Sequence, residues 1–256
     1  MNRLMYDGMP RDEAAAAYEA WLLGKRPERG AIIACGPSLC AAPALPDIAA
    51  AAVEGEAGAR TALDDPLRTE AALRNFRDWR RLPAGAAVGV SAEGLLVFPA
   101  EDFAIPEEAQ PLVFPELLDE VCTDKELADG LGCTAKTVQK EAEAGRFGPW
   151  AKRTPTGWLL VRRAAEAVYR GEEPPALPVN PLLLIFATAE AGVLWGRSAE
   201  EVRSAAAGAG HRAARLRDGE RRRAGRTWLV TRAAMEKLYG DPLPAAWRSF
   251  VMAQQR

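Results

Sequence analysis

The residues with the clearest chemical potential are basic side chains in the second half of the chain. Lys136, Gln139 and Lys140 lie close together, and seven arginines occur between residues 211 and 226 with only Asp218 and Glu220 among them. Glutamine can pair with adenine, lysine can donate to guanine, and arginine binds phosphate oxygens. The pattern favours contact with a nucleic acid. The alternative is an ordinary solvated surface in a chain whose arginines outnumber its lysines 27 to 6.

Charge is divided unevenly along the 256 residues. Residues 1–120 carry 11 basic and 20 acidic side chains, whereas residues 121–256 carry 22 basic and 15 acidic ones. The net charge of −2 therefore combines an acidic half of −9 with a basic half of +7. This asymmetry predicts a polyanionic partner for the second half and a different partner for the first.

Side chains suited to catalysis or metal binding are sparse. The four cysteines form no C-x-x-C pair, and the one histidine, His211, is distant from them in sequence. Gly36-Pro37-Ser38 between Cys35 and Cys40 suggests a nucleophile, but no histidine is nearby to act as its base. We therefore predict no catalytic residue, no metal site and no cofactor.

An internal repeat organises the basic half. Glu126-Leu-Ala-Asp-Gly-Leu-Gly132 matches Glu190-Ala-Gly-Val-Leu-Trp-Gly196 at an offset of 64. Further along, the segment that begins Trp158-Leu-Leu-Val and ends at Tyr169 matches the one from Trp228 to Tyr239 at an offset of 70. The second copy is therefore six residues longer between its matched blocks.

Each copy can be assigned elements. Thr123 with Glu126, and Ser198 with Glu201, form predicted capping boxes at helix starts. Gly132 ends the first helix, and Thr134 begins a second one that ends at Gly145. A basic stretch, a strand and a closing helix follow. This order is typical of a helix-turn-helix with a β-hairpin wing.

The residues of the first copy resemble those of a known family. Residues 126–138 read E-L-A-D-G-L-G-C-T-A-K-T-V, and a G-W-L strand and an A-x-E-A-V-Y helix follow. This pattern resembles the excisionase/MerR-like winged helix-turn-helix family over residues 121–172 and 186–241. The resemblance implies that the second helix of each copy enters the major groove and that the wing follows the backbone or minor groove. The second copy departs from the pattern at Gly192 and in its short, Ala/Gly-rich second helix.

The candidate DNA-binding residues belong to the second helix and the wing of each copy. Base contacts are expected from the helix of the first copy and phosphate contacts from the wings. The first copy contributes Lys136, Thr137, Gln139, Lys140, Lys152 and Arg153. The second contributes Arg203, Arg212, Arg215, Arg217, Arg221, Arg222, Arg223 and Arg226.

We expect four regions. Residues 1–112 form an acidic α+β region for homodimerisation or partner binding, and residues 113–172 form the first winged module. Residues 173–183 are a Pro-rich linker, and residues 184–256 form the second module. Because prolines stiffen a linker, the modules are expected to be held apart, straddling groove segments about 10 base pairs apart.

The acidic region offers local signals but no functional motif. Alternating and helical apolar patterns predict the following elements. They are helices over Asp12–Leu23, Asp47–Arg60 and Leu67–Leu82, a strand over Ala31–Cys35, and a hairpin of Ala86–Val90 with Leu95–Phe98.

The sequence as a whole predicts a mainly α fold with short β hairpins, in which two tandem winged helix-turn-helix modules follow an N-terminal α+β region. The expected function is non-enzymatic binding of double-stranded DNA by a transcriptional regulator or an excisionase-like architectural factor. The alternative is a protein-interaction factor, such as an antitoxin or a phage or plasmid accessory protein. The sequence has neither a signal peptide nor an apolar run of about 20 residues, so we expect a cytoplasmic location and no membrane contact.

Overall fold

A computed structural model describes residues 3–6, 8–25, 31–35, 38–42, 60–61, 87–91, 94–98 and 107–254. The chain separates into two compact units, Met1–Val113 and Phe114–Arg256.

The first unit contains a mixed sheet and a helix. Its elements are β1 (Arg3–Tyr6), α1 (Arg11–Leu22), β2 (Ala31–Cys35), β3 (Ser38–Ala42), β4 (Arg60–Thr61), β5 (Ala87–Ser91), β6 (Gly94–Phe98) and β7 (Gln110–Pro111). The strand order is β4-β6-β5-β2-β3-β1-β7, with β1 and β3 parallel and the other pairs antiparallel.

Several sequence predictions fall in this unit. The predicted helix over Asp12–Leu23, the strand over Ala31–Cys35 and the hairpin formed by β5 and β6 are confirmed to within one residue at each end. The predicted helices over Asp47–Arg60 and Leu67–Leu82 lie outside the described residues, except for Arg60, which belongs to β4.

The second unit contains one order of elements twice: strand, helix, helix, strand, strand, helix. The first repeat comprises β8 (Val121–Thr123), α3 (Asp124–Leu131), α4 (Ala135–Glu143), β9 (Ala151–Thr154), β10 (Gly157–Val161) and α5 (Arg162–Arg170). The second repeat comprises β11 (Ile185–Ala187), α6 (Thr188–Trp195), α7 (Ala199–Ala207), β12 (Arg221–Ala224), β13 (Thr227–Thr231) and α8 (Arg232–Tyr239). Helix α2 (Leu117–Glu120) precedes the first repeat, and α9 (Pro244–Gln254) follows the second.

The two small sheets of this unit have equivalent topology. In each, the last strand of the repeat pairs with both others, giving the orders β8-β10-β9 and β11-β13-β12. All of these pairs are antiparallel, and Leu159 opposes Thr123 just as Leu229 opposes Ala187. The hairpin of each repeat is thereby tied to the strand that precedes its first helix.

Local signals fix the helix ends. Thr123 and Glu126 form the predicted capping box at α3, and Thr134 caps α4 by accepting from the backbone N–H of Thr137. Ser198 caps α7 by accepting from the N–H of Glu201, whose carboxylate turns toward Arg197, 4.0 Å away. The predicted box at α7 is thus only half formed.

The two repeats pack directly against each other. One apolar cluster contains Leu118, Val121, Leu159, Val161 and Ala164 from the first part of the unit. It also contains residues from the second part, namely Leu182, Ile185, Ala187, Ala224 and Leu229. The repeats therefore share this cluster at their junction, while the first repeat also has an apolar cluster of its own that includes Leu127, Val138 and Leu160.

This packing corrects the expectation for residues 173–183. The predicted spacer would hold two separate bodies apart, but Val179, Leu182 and Leu183 within and beside its prolines are buried. Leu177 packs against the shared cluster as well. The end of the segment therefore packs into the core of the unit, whereas its first half, which includes the exposed Glu173 and Ala176, does not.

Candidate nucleic-acid interface

Helix α4 separates an inner apolar face from an outer polar one that carries two lysines and Glu143. Val138 and Ala142 are buried, whereas Lys136 and Lys140, on the opposite side, are exposed. Thr137 is half-buried, and its hydroxyl lies 2.9 Å from that of Thr134. The exposed lysines thus point to the side of the helix that the sequence predicted. The hydroxyl of Thr137 contacts the capping residue Thr134 at the start of the helix.

Gln139 lies at the edge of this outer face and is held by the neighbouring helix. Its Nε2 donates to Oδ2 of Asp124, the first residue of α3, at 2.6 Å. An amide N–H₂ group has two hydrogens, so this bond fixes the side chain and leaves Oε1 and the second hydrogen available. The arrangement keeps both groups that a bidentate contact with adenine uses.

Arg153 of β9 is exposed, as predicted for a residue of the hairpin. Its guanidinium lies 3.2 Å from the carboxylate of Glu143 and 5.7 Å from the ring centre of Trp158, which faces it across the hairpin. Both partners are themselves accessible, so the pair is a weak surface contact that a phosphate can compete for.

Lys152 is placed differently from the sequence prediction. Its Nζ has no exposure and lies 3.0 Å from Oε1 of Glu190, while it donates to the carbonyls of Leu182 and Ile185 at 2.8 and 2.9 Å. The rings of Phe186 and Phe250 lie 4.5 and 5.0 Å from it. Lys152 therefore joins the two repeats and is not available to a phosphate, because β9 alternates its side chains between solvent and core.

Burial has the largest effect on the pKa values of Lys152 and Glu190. Desolvation lowers the pKa of Lys152 and raises the pKa of Glu190, while the attraction between them opposes both changes. The two carbonyl acceptors and the aromatic rings help to retain the charged form of the lysine.

Arg222 of β12 is the second departure from the predicted phosphate contacts. Its guanidinium donates to Oε1 of Glu126 at 2.9 Å, to the carbonyl of Leu118 at 3.2 Å, and to the carbonyl of Val121. Burial alone would raise the pKa of Glu126, but hydrogen bonds from Arg222 and from the N–H of Thr123 outweigh it and hold that pKa below its usual range. Arg222 is thus an internal link like Lys152.

The two links are equivalent in the repeat. Arg222 follows Lys152 by 70 residues, and Glu190 follows Glu126 by 64. The carbonyls they bind, at 118 and 121 in one case and at 182 and 185 in the other, are also 64 residues apart. Each repeat therefore gives a cation to its neighbour and receives one in return, which is the contact pattern of a two-fold related pair.

Sequence reasoning missed these links although the offsets contained them. By itself, the local sequence around Glu126 predicts only a helix cap, and that around Lys152 and Arg222 predicts only exposed residues of the wings. The signal was that a cation at one offset and a carboxylate at the other recur together in both copies.

Helix α7 has a different surface from α4. Arg203 binds Glu200 through two nitrogen–oxygen pairs of 2.8 and 2.7 Å. This hydrogen bond lowers the pKa of Glu200 and raises that of Arg203. Arg203, predicted to contact DNA, is therefore engaged by a carboxylate of its own helix.

The arginine-rich segment between α7 and β13 is mostly exposed. Arg215 donates to the hydroxyl of Tyr239 at 2.6 Å, and the half-buried Arg221 lies over the ring of Trp228 at 5.3 Å. Arg223 donates to the carbonyl of Gly225 at 3.1 Å within the hairpin turn. The exposed arginines of the segment are Arg212, Arg215, Arg217, Arg223 and Arg226.

Metal ligands, a buried thiol and helix length are further features of the described part of the chain. No cluster of three or more His, Cys, Asp or Glu residues there is placed to bind a metal ion. Burial raises the pKa of the Cys122 thiol to about 12, so this cysteine remains a neutral core residue. Among the described helices, none combines the length and the apolar character that a membrane span requires.

Comparison with known proteins identifies one domain. Residues 180–242 match a family described as a helix-turn-helix domain, and the match spans the second repeat from before β11 to just after α8. Comparisons with curated proteins and with solved structures found no match. The helix-turn-helix domain over α6 and α7 indicates a DNA-binding role.

Proposed function

We propose that this chain is a non-enzymatic, cytoplasmic protein that binds double-stranded DNA through two tandem winged helix-turn-helix modules. It acts as a transcriptional regulator or as an excisionase-like architectural factor. The observation that carries the proposal is the helix-turn-helix domain match over residues 180–242, whose order of elements recurs in residues 121–170.

The assignment of parts follows from this order. Helices α4 and α7 take the place of the recognition helix, and the hairpins β9–β10 and β12–β13 take that of the wing. The exposed Lys136 and Lys140 of α4 and the exposed arginines of the second repeat are the basic groups of the surface. Residues 1–112, which are acidic, contact protein instead, either a second copy of the chain or another partner.

A second candidate is a protein-interaction factor. The first turn of α7 is acidic, with Glu200 and Glu201, and phosphates repel carboxylates. Val193 of the adjoining helix α6 is 64% exposed, which suits a protein surface better than a DNA one. Under this alternative the modules bind a partner protein and have no appreciable affinity for duplex DNA.

Fluorescence anisotropy of the full chain with a mixed-sequence duplex, over a series of salt concentrations, separates the two candidates. DNA binding with about six phosphate contacts gives a slope of about −5 for log affinity against log salt. Absence of binding at low salt contradicts the proposal and favours the protein-interaction factor.

Charge-matched variants locate the surface. Lys136→Ala with Lys140→Ala should weaken binding and change the preferred sequence, because these lysines are expected to contact base edges, and the salt slope should fall by about 0.9 for each of them that also contacts a phosphate. The control is Arg170→Ala with Arg248→Ala, which removes the same charge from exposed positions outside the predicted surface. Equal effects of the two pairs would show that binding responds only to net charge and would contradict the site.

A further inference from the structure

We infer that the two repeats divide the contact with DNA: the first reads base edges through α4, and the second holds the phosphate backbone through its arginine-rich segment, residues 208–226. Helix α7 takes no part in reading bases. The inference rests on the proposed function and specifies the kind of duplex that the chain prefers.

Equivalent positions of α4 and α7 differ in chemistry. At an offset of 64, Lys136 corresponds to Glu200 and Lys140 to Ser204. The outer face of α4 thus carries two exposed lysines together with Glu143, which pairs with Arg153, whereas the equivalent positions of α7 are a carboxylate, a hydroxyl and Ala207. Lysine donates to the acceptors that guanine presents, whereas glutamate can accept only from the amino group of cytosine or adenine and is repelled by the phosphates on either side.

The middle of each helix shows the same contrast. Gln139 corresponds to Arg203. The amide of Gln139 is fixed by Asp124 and retains a donor and an acceptor. Two guanidinium nitrogens of Arg203, in contrast, donate to the carboxylate oxygens of Glu200 at 2.7 and 2.8 Å. The pair is exposed and so is itself a weak contact, but a base contact by Arg203 would leave Glu200 facing the DNA without its cation.

In the second repeat, the positive charge is concentrated in the segment that follows α7. The stretch between α4 and β9, residues 144–150, is six residues shorter than the stretch between α7 and β12, residues 208–220, and contains one arginine, Arg146, which is bound to Glu141 and to the carbonyl of Tyr169. In the second repeat this stretch contains Arg212, Arg215 and Arg217, all exposed.

The segment is anchored, so its arginines are presented in fixed places. The backbone N–H groups of Arg215 and Leu216 both donate to the carbonyl of Ala205 in α7, at 2.9 and 3.1 Å, and Leu216 is buried. Gly208 permits the close turn, because a Cβ there would lie 2.7 Å from the carbonyl oxygen of Arg212. An ordered set of arginines with accessible guanidinium groups suits phosphate contacts, which carry no sequence information.

The reciprocal packing of the repeats makes the inference testable. Because two-fold related modules face opposite directions along a duplex, two reading helices would select two oppositely oriented half-sites, whose sequences differ because the outer faces of the helices differ. One reading helix and one phosphate clamp select instead a single motif without an inverted copy, flanked on one side by DNA that is protected but not specified.

The experiment selects duplexes from a random-sequence library with the full chain and then maps the protected backbone of a selected duplex by hydroxyl-radical footprinting. We expect a single asymmetric motif and a footprint that extends beyond it on one side only. A second specified half-site one helical turn away, whether an inverted copy or a different sequence, overturns the inference while leaving the proposed function standing. Failure to retain any duplex contradicts the proposed function itself.

Variants assign the two roles. Gln139→Ala should change the selected motif, and Arg203→Ala should leave it unchanged. The triple change Arg212→Ala, Arg217→Ala and Arg226→Ala should weaken binding to every duplex and reduce the salt slope by about 2.7. A changed motif in the Arg203 variant would refute the division of roles. Thermal unfolding of each variant confirms that it is folded before its binding is compared.

Discussion

At the scale of single residues, the two cations that join the repeats differ in how they are enclosed. The side chains of Lys152 and Glu190 are 0% and 10% exposed, whereas those of Arg222 and Glu126 are 21% and 22% exposed. Phe250 of α9 lies against Lys152 and helps to seal the first pair. The two equivalent links should therefore respond differently when one partner is removed.

Glu190→Ala should destabilise the chain by about 3–5 kcal/mol, because it leaves a buried ammonium without its carboxylate. Glu126→Ala should cause a smaller loss, since water can reach Arg222 and screen it. Urea unfolding followed by tryptophan fluorescence measures both changes. The exposed Glu172→Ala serves as the control, and a loss for Glu190→Ala no larger than the control's would contradict this account.

The lowered pKa of Glu126 also predicts how the stability of the fold changes in acid. Its pKa in the folded chain is lower than in the unfolded chain, since the bonds from Arg222 and Thr123 outweigh its burial. Its contribution to stability is therefore present above the unfolded pKa and is lost as pH falls through the folded value. Melting temperatures between pH 7 and pH 3 should fall more steeply for the wild type than for Glu126→Gln. Parallel curves for the two proteins would refute the assignment.

At the scale of elements, the tight connection between α6 and α7 explains why glycine occupies position 192 inside a helix. A Cβ there would lie 2.7 Å from the carbonyl oxygen of Arg197 and 3.2 Å from the backbone nitrogen of Ala199. The equivalent residue of the first repeat, 64 positions earlier, is Ala128. The departure of the second copy from the family pattern at Gly192 thus reflects a closer approach of the turn to the helix.

Gly192→Ala should destabilise the chain by about 1–3 kcal/mol, because backbone atoms cannot yield to the added methyl group. Gly130→Ala is a matched control in α3: its Cβ would meet only Glu166 Oε1 at an ordinary 3.6 Å. This control should raise stability by about 0.5–1 kcal/mol, since alanine favours a helix interior. Thermal melts of both variants test the pair, and the same sign for both would rule out the steric explanation.

Local sequence signals predict the helices and strands well, but they do not predict which side chains of the hairpins face solvent and which face the core. Thr123, Thr134 and Ser198 mark helix starts because capping needs only neighbouring atoms. Lys152 and Arg153 are adjacent, and which of them faces solvent depends on what packs against β9. Those packing residues are distant in sequence, so local patterns do not identify them. The same holds for Arg222 and Arg223. The sequence therefore indicated basic hairpins without revealing that one cation in each is internal.

At the scale of the whole second unit, the shared core predicts that neither repeat is an independent body. Leu118, Val121 and Leu159 of the first part pack with Ile185 and Leu229 of the second. A cut in the connection between them should consequently leave the parts associated.

A protease site inserted between Glu172 and Glu173, both exposed, provides this cut in the full chain. After cleavage we expect the two fragments to elute together in gel filtration and to separate only in denaturant. The same chain with Glu190→Ala should separate at a lower denaturant concentration. Elution as two independent peaks without denaturant would show that the repeats do not depend on each other.

The reciprocal links also have a consequence for the history of the chain. A single repeat with a hairpin cation and a capping glutamate is complementary to itself, so two identical copies would satisfy both links at once. If the two copies are joined in one chain, the association is retained, and each copy can change in sequence without the same change in the other. This independence permits differences like the lysine in one link and the arginine in the other, or the two exposed lysines of α4 where α7 has Glu200 and Ser204. The covalent connection thus turns a symmetric assembly into one whose halves can specialise.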